Sequence, residues 1–208
     1  MKNYTILTLL LSWTAILSAQ TVERKDKETI QQFSERLKPK NSSVTHEVLE
    51  TKWNAHNVII ALYDQTYVLS FENDPEQQTN HKIIGSIYIQ LEKNTYRKTN
   101  FGTIDTEGGN PHIESVFFAN ADKDLTKELV IIASWEQRHY DFNGTLYGTF
   151  VFDYDLKSTK TDWKFLDKIS SKLDGGCDCY ERDGTIRKAR FKTAGAVRKE
   201  LARLGYKQ

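Results

Sequence analysis

The sequence predicts an α+β, mainly β fold. It is an antiparallel meander of about six to eight strands, open to a propeller-blade-like arrangement, with a C-terminal helix-hairpin-helix extension. Three observations predict it. Between residues 46 and 156, short runs rich in Val, Ile, Tyr and Phe recur with period-two alternation. Clusters of Gly, Pro, Asn and Asp separate those runs, as turns require. After residue 157 the apolar spacing becomes helical. The chain therefore divides into a signal peptide over 1–19, a polar linker or short helix over 20–45, a β-rich core over 46–156 and an α/β extension over 157–208 packed on that core.

The leader combines Lys2, the apolar run "YTILTLLLSWTAIL" and the small-residue end "LSAQ", the secretory pattern with cleavage expected after Ala19. An uncleaved N-terminal anchor is the competing reading. The run is short of the ~20 apolar residues of a membrane span, and the mature chain is expected to carry no transmembrane segment. In "QTVERKDKETIQQFSERLKPKNSSVT", Ile30, Phe33 and Leu37 allow one amphipathic helix lying outside the main core.

Strands follow at "NVIIALYD" (57–64) and "TYVLSFE" (66–72), with the short gap "DQ" read as a hairpin. After the loop "DPEQQTNHK", the run "KIIGSIYIQLE" (82–92) puts Ile83, Ile87, Ile89 and Leu91 on one face. A turn and short strand in "KNTYRKTNFGTI" precede the loop "EGGNPH". "IESVFFA" (113–119), "ELVIIASW" (128–135) and "YGTFVFDYD" (147–155) complete the meander, with Asn143–Gly144 as the hairpin turn before the last. In "ELVIIASW", Leu129, Ile131, Ala133 and Trp135 share one face, yet Val130 and Ile132 are apolar too. That predicts a central strand covered on both sides.

In the extension, Trp163, Leu166, Ile169 and Leu173 fall at helical spacing behind a cap at Thr161 or Asp162. "CYERDGTIRKARFK" reads as a hairpin around Asp183–Gly184. The last helix has Thr193 as N-cap, a stripe of Ala194, Val197, Leu201 and Leu204, and Gly205 just past its end.

Charge is nearly balanced, 29 Lys+Arg against 28 Asp+Glu, which excludes a general nucleic-acid binder. Aromatic content, 10 Tyr, 10 Phe and 4 Trp, excludes a chain disordered by composition. The two cysteines, Cys177 and Cys179, stand one residue apart. Alternate residues of an extended strand lie ~6.5–7 Å apart, tight for a disulfide. A local bridge, an external partner and two free thiols all stay open.

The segment with most chemistry is "FANADKDLTKEL", where Asn120, Asp122 and Asp124 alternate ahead of Glu128. Calcium takes six to eight oxygens, and alternating carboxylates in a tight loop can wrap one ion, with Thr126 adding its backbone carbonyl. A solvated acidic turn explains the same pattern, and Lys123 and Lys127 dilute its negative field. Residues 118–130 resemble the calcium loop of integrin-type FG-GAP repeats, which implies Ca2+ as the one cofactor. The loop departs from that family at Leu125, where the family has Gly; a Leu held in the left-handed turn would cost about 1–2 kcal/mol. It is not an EF-hand, because Ile131 stands at the twelfth position, where a bidentate Glu is needed. In composition and in its leader end the chain resembles exported proteins of Bacteroidetes-type bacteria.

Other constellations are thinner. His112 and Glu114 form an H-x-E, but the P-C-x-x-C of zinc deaminases is missing. Glu136 and His139 make an acid–His pair in a loop, and no catalytic residue can be assigned from spacing. Tyr140, Phe142 and Tyr147 can stack on sugar rings or pack a hairpin. Arg187, Lys188, Arg190, Lys192, Arg198, Lys199 and Arg203 can face an anionic partner or simply solvent. The expectation is an exported, periplasmic or secreted, non-catalytic binding or structural protein of the cell envelope, partnered by an envelope glycan or another exported protein. The alternatives are an envelope-acting hydrolase and a thiol-active periplasmic protein using Cys177 and Cys179.

Overall fold

The structure, a computed structural model, describes residues 20–69, 78–155 and 163–208. The leader, Ser70–Glu72 of the second expected strand, and the caps Thr161 and Asp162 lie outside the described residues. The fold is mainly β and antiparallel, with a half-barrel and, among the described residues, three helices.

Two six-stranded sheets share one core. The first contains β1 (Gln20–Glu23), β2 (Ser42–Val44), β3 (Leu49–Trp53), β4 (His56–Leu69), β5 (Gln78–Gln90) and β6 (Thr95–Ile104). Its order is β1-β6-β5-β4-β2, with β3 also paired to β4. The second contains β7 (Pro111–Ala119), β8 (Glu128–Arg138), β9 (Phe142–Asp153), β10 (Lys164–Phe165), β11 (Gly176–Glu181) and β12 (Ile186–Arg187). Its order is β12-β11-β9-β8-β7, with β10 on β9. Helices α1 (Ile30–Arg36), α2 (Asp167–Lys172) and α3 (Ala194–Arg203) cover the outer faces.

β8 runs between β7 and β9, and its face alternation assigns each side chain a layer. Leu129, Ile131, Ala133 and Trp135 meet Val58, Ile60, Ile83 and Ile87 between the sheets. Val130 and Ile132 meet Ile169, Leu173, Val197 and Leu201 from α2 and α3. Burial on both faces is why the strand carries no alternation. β4 repeats the arrangement, with Ile59, Ala61 and Tyr63 turned toward Phe33 of α1.

Four local expectations are corrected. The "DQ" gap makes no hairpin: Asp64 and Gln65 continue β4, paired to Ile83 and Lys82 on one side and to Ser43 and Ser42 on the other. Neither residue supplies the positive φ that two-residue turns favour, and both backbones already have partners. Asn143–Gly144 is not the turn either, because both residues lie in β9 and the chain reverses at His139–Asp141. Gly144 serves instead as the close-approach point for β11: its φ is +152°, and a Cβ there would sit 2.1 Å from the Asp178 carbonyl oxygen.

Trp163 does not begin a helix. It lies in the inter-sheet core, stacked on Tyr154 at 4.5 Å, whereas Leu166 and Ile169 pack on the outer face. No helix from Trp163 could serve both sides of one sheet, so the chain crosses through β10. Finally, residues 20–45 are integral rather than peripheral. β1 pairs with β6, β2 with β4, and Phe33 is fully buried against Tyr88 at 4.9 Å. A capping box joining Thr29 and Gln32 starts α1.

The C-terminal segment supplies α2, the antiparallel β11–β12 pair turning at Asp183–Gly184, and α3 with Thr193 as N-cap and Gly205 at φ +94°. Through β11 it belongs to the second sheet.

Phe101 is the extra residue where β6 pairs with β5, since Gly85 faces Gly102 and Ser86 faces Asn100. Its ring covers Gly85, and a Cβ there would lie 1.8 Å from the ring's Cζ. Phe101 is itself buried and cannot swing away. Gly85→Ala is therefore expected to destabilise the protein by about 1–3 kcal/mol in urea titration. An unchanged midpoint would show that the ring does not rest there.

Candidate acidic metal site

The loop Asn120–Lys127 joins β7 to β8 at one end of the second sheet. Two internal turns shape it. Asp122 Oδ1 accepts the Asp124 N–H at 2.8 Å, and Asp124 Oδ1 accepts the Thr126 N–H and hydroxyl at 2.6 and 2.7 Å. Asn120 Nδ2 donates to the Asp124 carbonyl at 3.0 Å. The loop is keyed to the first sheet by Asn54, which bonds both the N–H and the C=O of Lys127 at 3.0 and 3.1 Å. Leu125 is 98% exposed and is not among the residues at positive φ. The loop thus avoids the strain anticipated for a Leu in the glycine conformation.

These turns bring carboxylate oxygens of Asp122, Asp124 and Glu128 within 4.8 Å of one another. Glu128 is fully buried, at 0% exposure. Its Oε2 accepts the Ala121 N–H, while Oε1 has no hydrogen-bond partner, and Asn120 Oδ1 is likewise buried without one. Buried polar oxygens nearly always have donors, and either a bound cation or a carboxyl proton would satisfy the unpartnered Glu128 oxygen. Burial pushes the Glu128 carboxyl up to about 7; the Ala121 N–H opposes this, and the charges of Asp122, Asp124 and Asp153 reinforce it.

Of the expected ligands, Asp122, Asp124 and Glu128 come together, while Asn120 is tied to the loop through the Asp124 carbonyl. The Thr126 hydroxyl donates to Asp124, which leaves its backbone carbonyl, the expected ligand atom, untouched by that bond. Sequence reasoning missed Asp153, whose carboxyl is raised by burial and by Asp122 and Asp124, against Lys164. It closes β9, where its ladder partner is Lys164 of β10, and no spacing within the acidic loop signals it. A pocket of about 480 Å³ borders the cluster, lined by Asn54, His56, Asp124, Thr126, Asp153, Tyr154 and Asp155.

The remaining candidates separate. Glu136 pairs with Arg138, while His139 bonds Gln137 and stacks on Phe142, so the anticipated acid–His pair is not formed. His112 and Glu114 share a depression of about 570 Å³ with Ser134, Thr145 and Tyr147 on the second sheet. There the Ser134 hydroxyl donates directly to Glu114 at 2.6 Å.

Cys177 and Cys179 form a disulfide, their Cα atoms 5.3 Å apart. The contracted strand thus enters the range that the extended geometry narrowly missed. The basic residues of the extension are distributed among partners: Arg187 on Glu181, Lys192 on Asp178, Arg203 on Glu200, and Arg198 on the Phe118 carbonyl and the Phe117 ring. No described helix is long and apolar enough to cross a membrane.

Fold and site together define a mainly β protein with a carboxylate pocket at one end of its second sheet. No family model, curated protein or solved structure matches the chain.

Proposed function

We propose that this chain is an exported, non-catalytic binding or structural protein of the cell envelope whose acidic loop is stabilised by Ca2+. The observation that carries the calcium reading is Glu128, a fully buried carboxylate with one oxygen unpartnered and two further carboxylates within 4.8 Å. An all-oxygen donor set favours a hard cation over zinc or copper. Export is supported by the leader pattern and by a disulfide, which persists in oxidising compartments. The polar depression around Tyr147 offers hydroxyl, carboxylate and ring contacts of the kind an envelope glycan uses.

Thermal melting in calcium and in chelator tests the metal. At about one hundred times the dissociation constant, calcium contributes ~2.7 kcal/mol, a rise of roughly 5–10 °C for a chain of this size. Equal melting temperatures in calcium and chelator would remove the metal from the proposal.

A further inference from the structure

We propose that the depression between β7, β8 and β9 is a binding site for a neutral oligosaccharide, with Tyr147 as the stacking ring and Glu114 as a hydroxyl acceptor. The proposal rests on the reading of the chain as an envelope binding protein, and it names where the glycan sits and what charge it carries.

Strand alternation builds the site. On β8, Val130 and Ile132 pack against α2 and α3, and the same face continues as Ser134, Glu136 and Arg138, which line the depression. The ladder sets Tyr147 beside Ser134 and Thr145 beside Glu136, so β9 turns polar at the same level. β7 joins them through an extra residue. Ile113 pairs with Ala133 and Ser115 with Ile132, which leaves Glu114 as the unpaired residue of a β-bulge. Ile113, Val116 and Phe118 can then all pack on the inter-sheet core, while Glu114 accepts the Ser134 hydroxyl at 2.6 Å on the other face. A bulge interrupts a ladder and re-aims a side chain, and this one brings a carboxylate into the depression.

The lining matches a sugar. A pyranose carries hydroxyls around its rim and C–H groups on its faces. Glu114 and Asn110 can serve the rim, and the electron-rich face of Tyr147 attracts polarised C–H groups. Burial, and then the charge of Glu114, raises the Tyr147 hydroxyl above its ordinary pKa, so it remains a donor. The volume of about 570 Å³ falls among small-ligand sites, but the walls are polar where such sites are mostly apolar, which favours a hydroxylated ligand.

Charge selects a neutral one. Arg138 is paired with Glu136 at 3.2 Å, and Lys192, beside the Tyr147 ring, is paired with Asp178 at 2.6 Å. None of the salt bridges among the described residues engages Glu114. A phosphorylated or uronate-bearing glycan would meet that carboxylate with both neighbouring cations already paired.

Amide-resolved NMR titration of the 15N-labelled protein decides it, with chitotriose, maltotriose and xylotriose as neutral probes and trigalacturonate as the anionic one. At least one neutral probe should shift Gly108, Gly109 and Tyr147 and saturate below about 10 mM. Tyr147→Ala and Glu114→Gln should each weaken that probe about tenfold, with the remaining amides in place to verify folding. The Gln amide oxygen still accepts the Ser134 hydroxyl, so Glu114→Gln leaves the bulge supported. Neutral binding that maps elsewhere, or that both variants leave within about twofold of wild type, overturns this site and leaves a glycan partner standing. Preference for trigalacturonate overturns the neutral ligand. No response to any neutral probe overturns the proposal, while the calcium reading stands or falls on its own melting experiment.

Discussion

Glu128→Gln will abolish the calcium-dependent rise in melting temperature and, in chelator at pH 8, will make the protein more stable than wild type. The isosteric amide keeps an oxygen for the Ala121 N–H and turns donors toward Asp122 and Asp124 in place of a charge. The size of the gain follows from linkage. Wild-type Glu128 has its carboxyl raised from 4.5 to about 7, so between those values the folded state holds a proton that the unfolded state has released. Stability from this group is therefore greatest below about pH 4.5, falls as pH rises to 7, and is level above it. The full difference is on the order of 3 kcal/mol. The Gln variant cannot titrate there, so wild type minus variant, followed by urea denaturation in chelator from pH 4 to 8, isolates the effect. A difference that stays flat with pH would show that Glu128 is ionised at no cost and needs no cation. Calcium reverses the sign, since it binds the ionised form. The calcium-induced shift of wild type should grow from pH 5 to pH 8.

Trp53→Ala should cost about 3–5 kcal/mol, the loss expected for a large aromatic removed from a packed core. Trp53 is 1% exposed at the end of β3. It stacks on Phe118 of the second sheet at 5.0 Å and on Trp163 at 5.6 Å, so its ring joins the two sheets within one aromatic cluster. Its indole N–H donates to the Lys127 carbonyl, which Asn54 also holds. Truncation thus removes inter-sheet packing together with one of the three hydrogen bonds that Trp53 and Asn54 make to Lys127. Trp53→Phe, which keeps a ring and loses the N–H, should fall between wild type and Ala. A denaturation midpoint for Trp53→Ala within about 1 kcal/mol of wild type would contradict the packing account.

Much of this molecule was legible in one dimension because the information was local. The double-sided apolar character of "LVIIASW" is a property of consecutive residues, and it marked β8 as a central strand. The Asp183–Gly184 hairpin, the Thr193 cap and Gly205 are short-range signals of the same kind. So is the convergence of Asp122, Asp124 and Glu128, since a tight turn needs no distant partner to gather its own side chains. Errors arose where a local signal was outbid by a distant neighbour. Asn143–Gly144 reads as a turn until β11 approaches, where the missing Cβ is needed for the Asp178 carbonyl. Asp64–Gln65 reads as a break until β2 and β5 occupy both its edges. Trp163 keeps helical spacing with Leu166, and only the two faces of the second sheet separate them.

By itself, then, the sequence determined the mainly β class, the central strand, the C-terminal caps and the acidic loop, all of which depend on residues a few positions apart. Tertiary structure alone decided the burial of Phe33, the closure of residues 20–45 onto the first sheet, the passage of Phe101 over Gly85 and the pairing of Asp153 with Lys164 of β10. Each of these joins residues far apart along the chain, and their proximity is set by strand register and by which face of a sheet is covered. No spacing within a single segment encodes that.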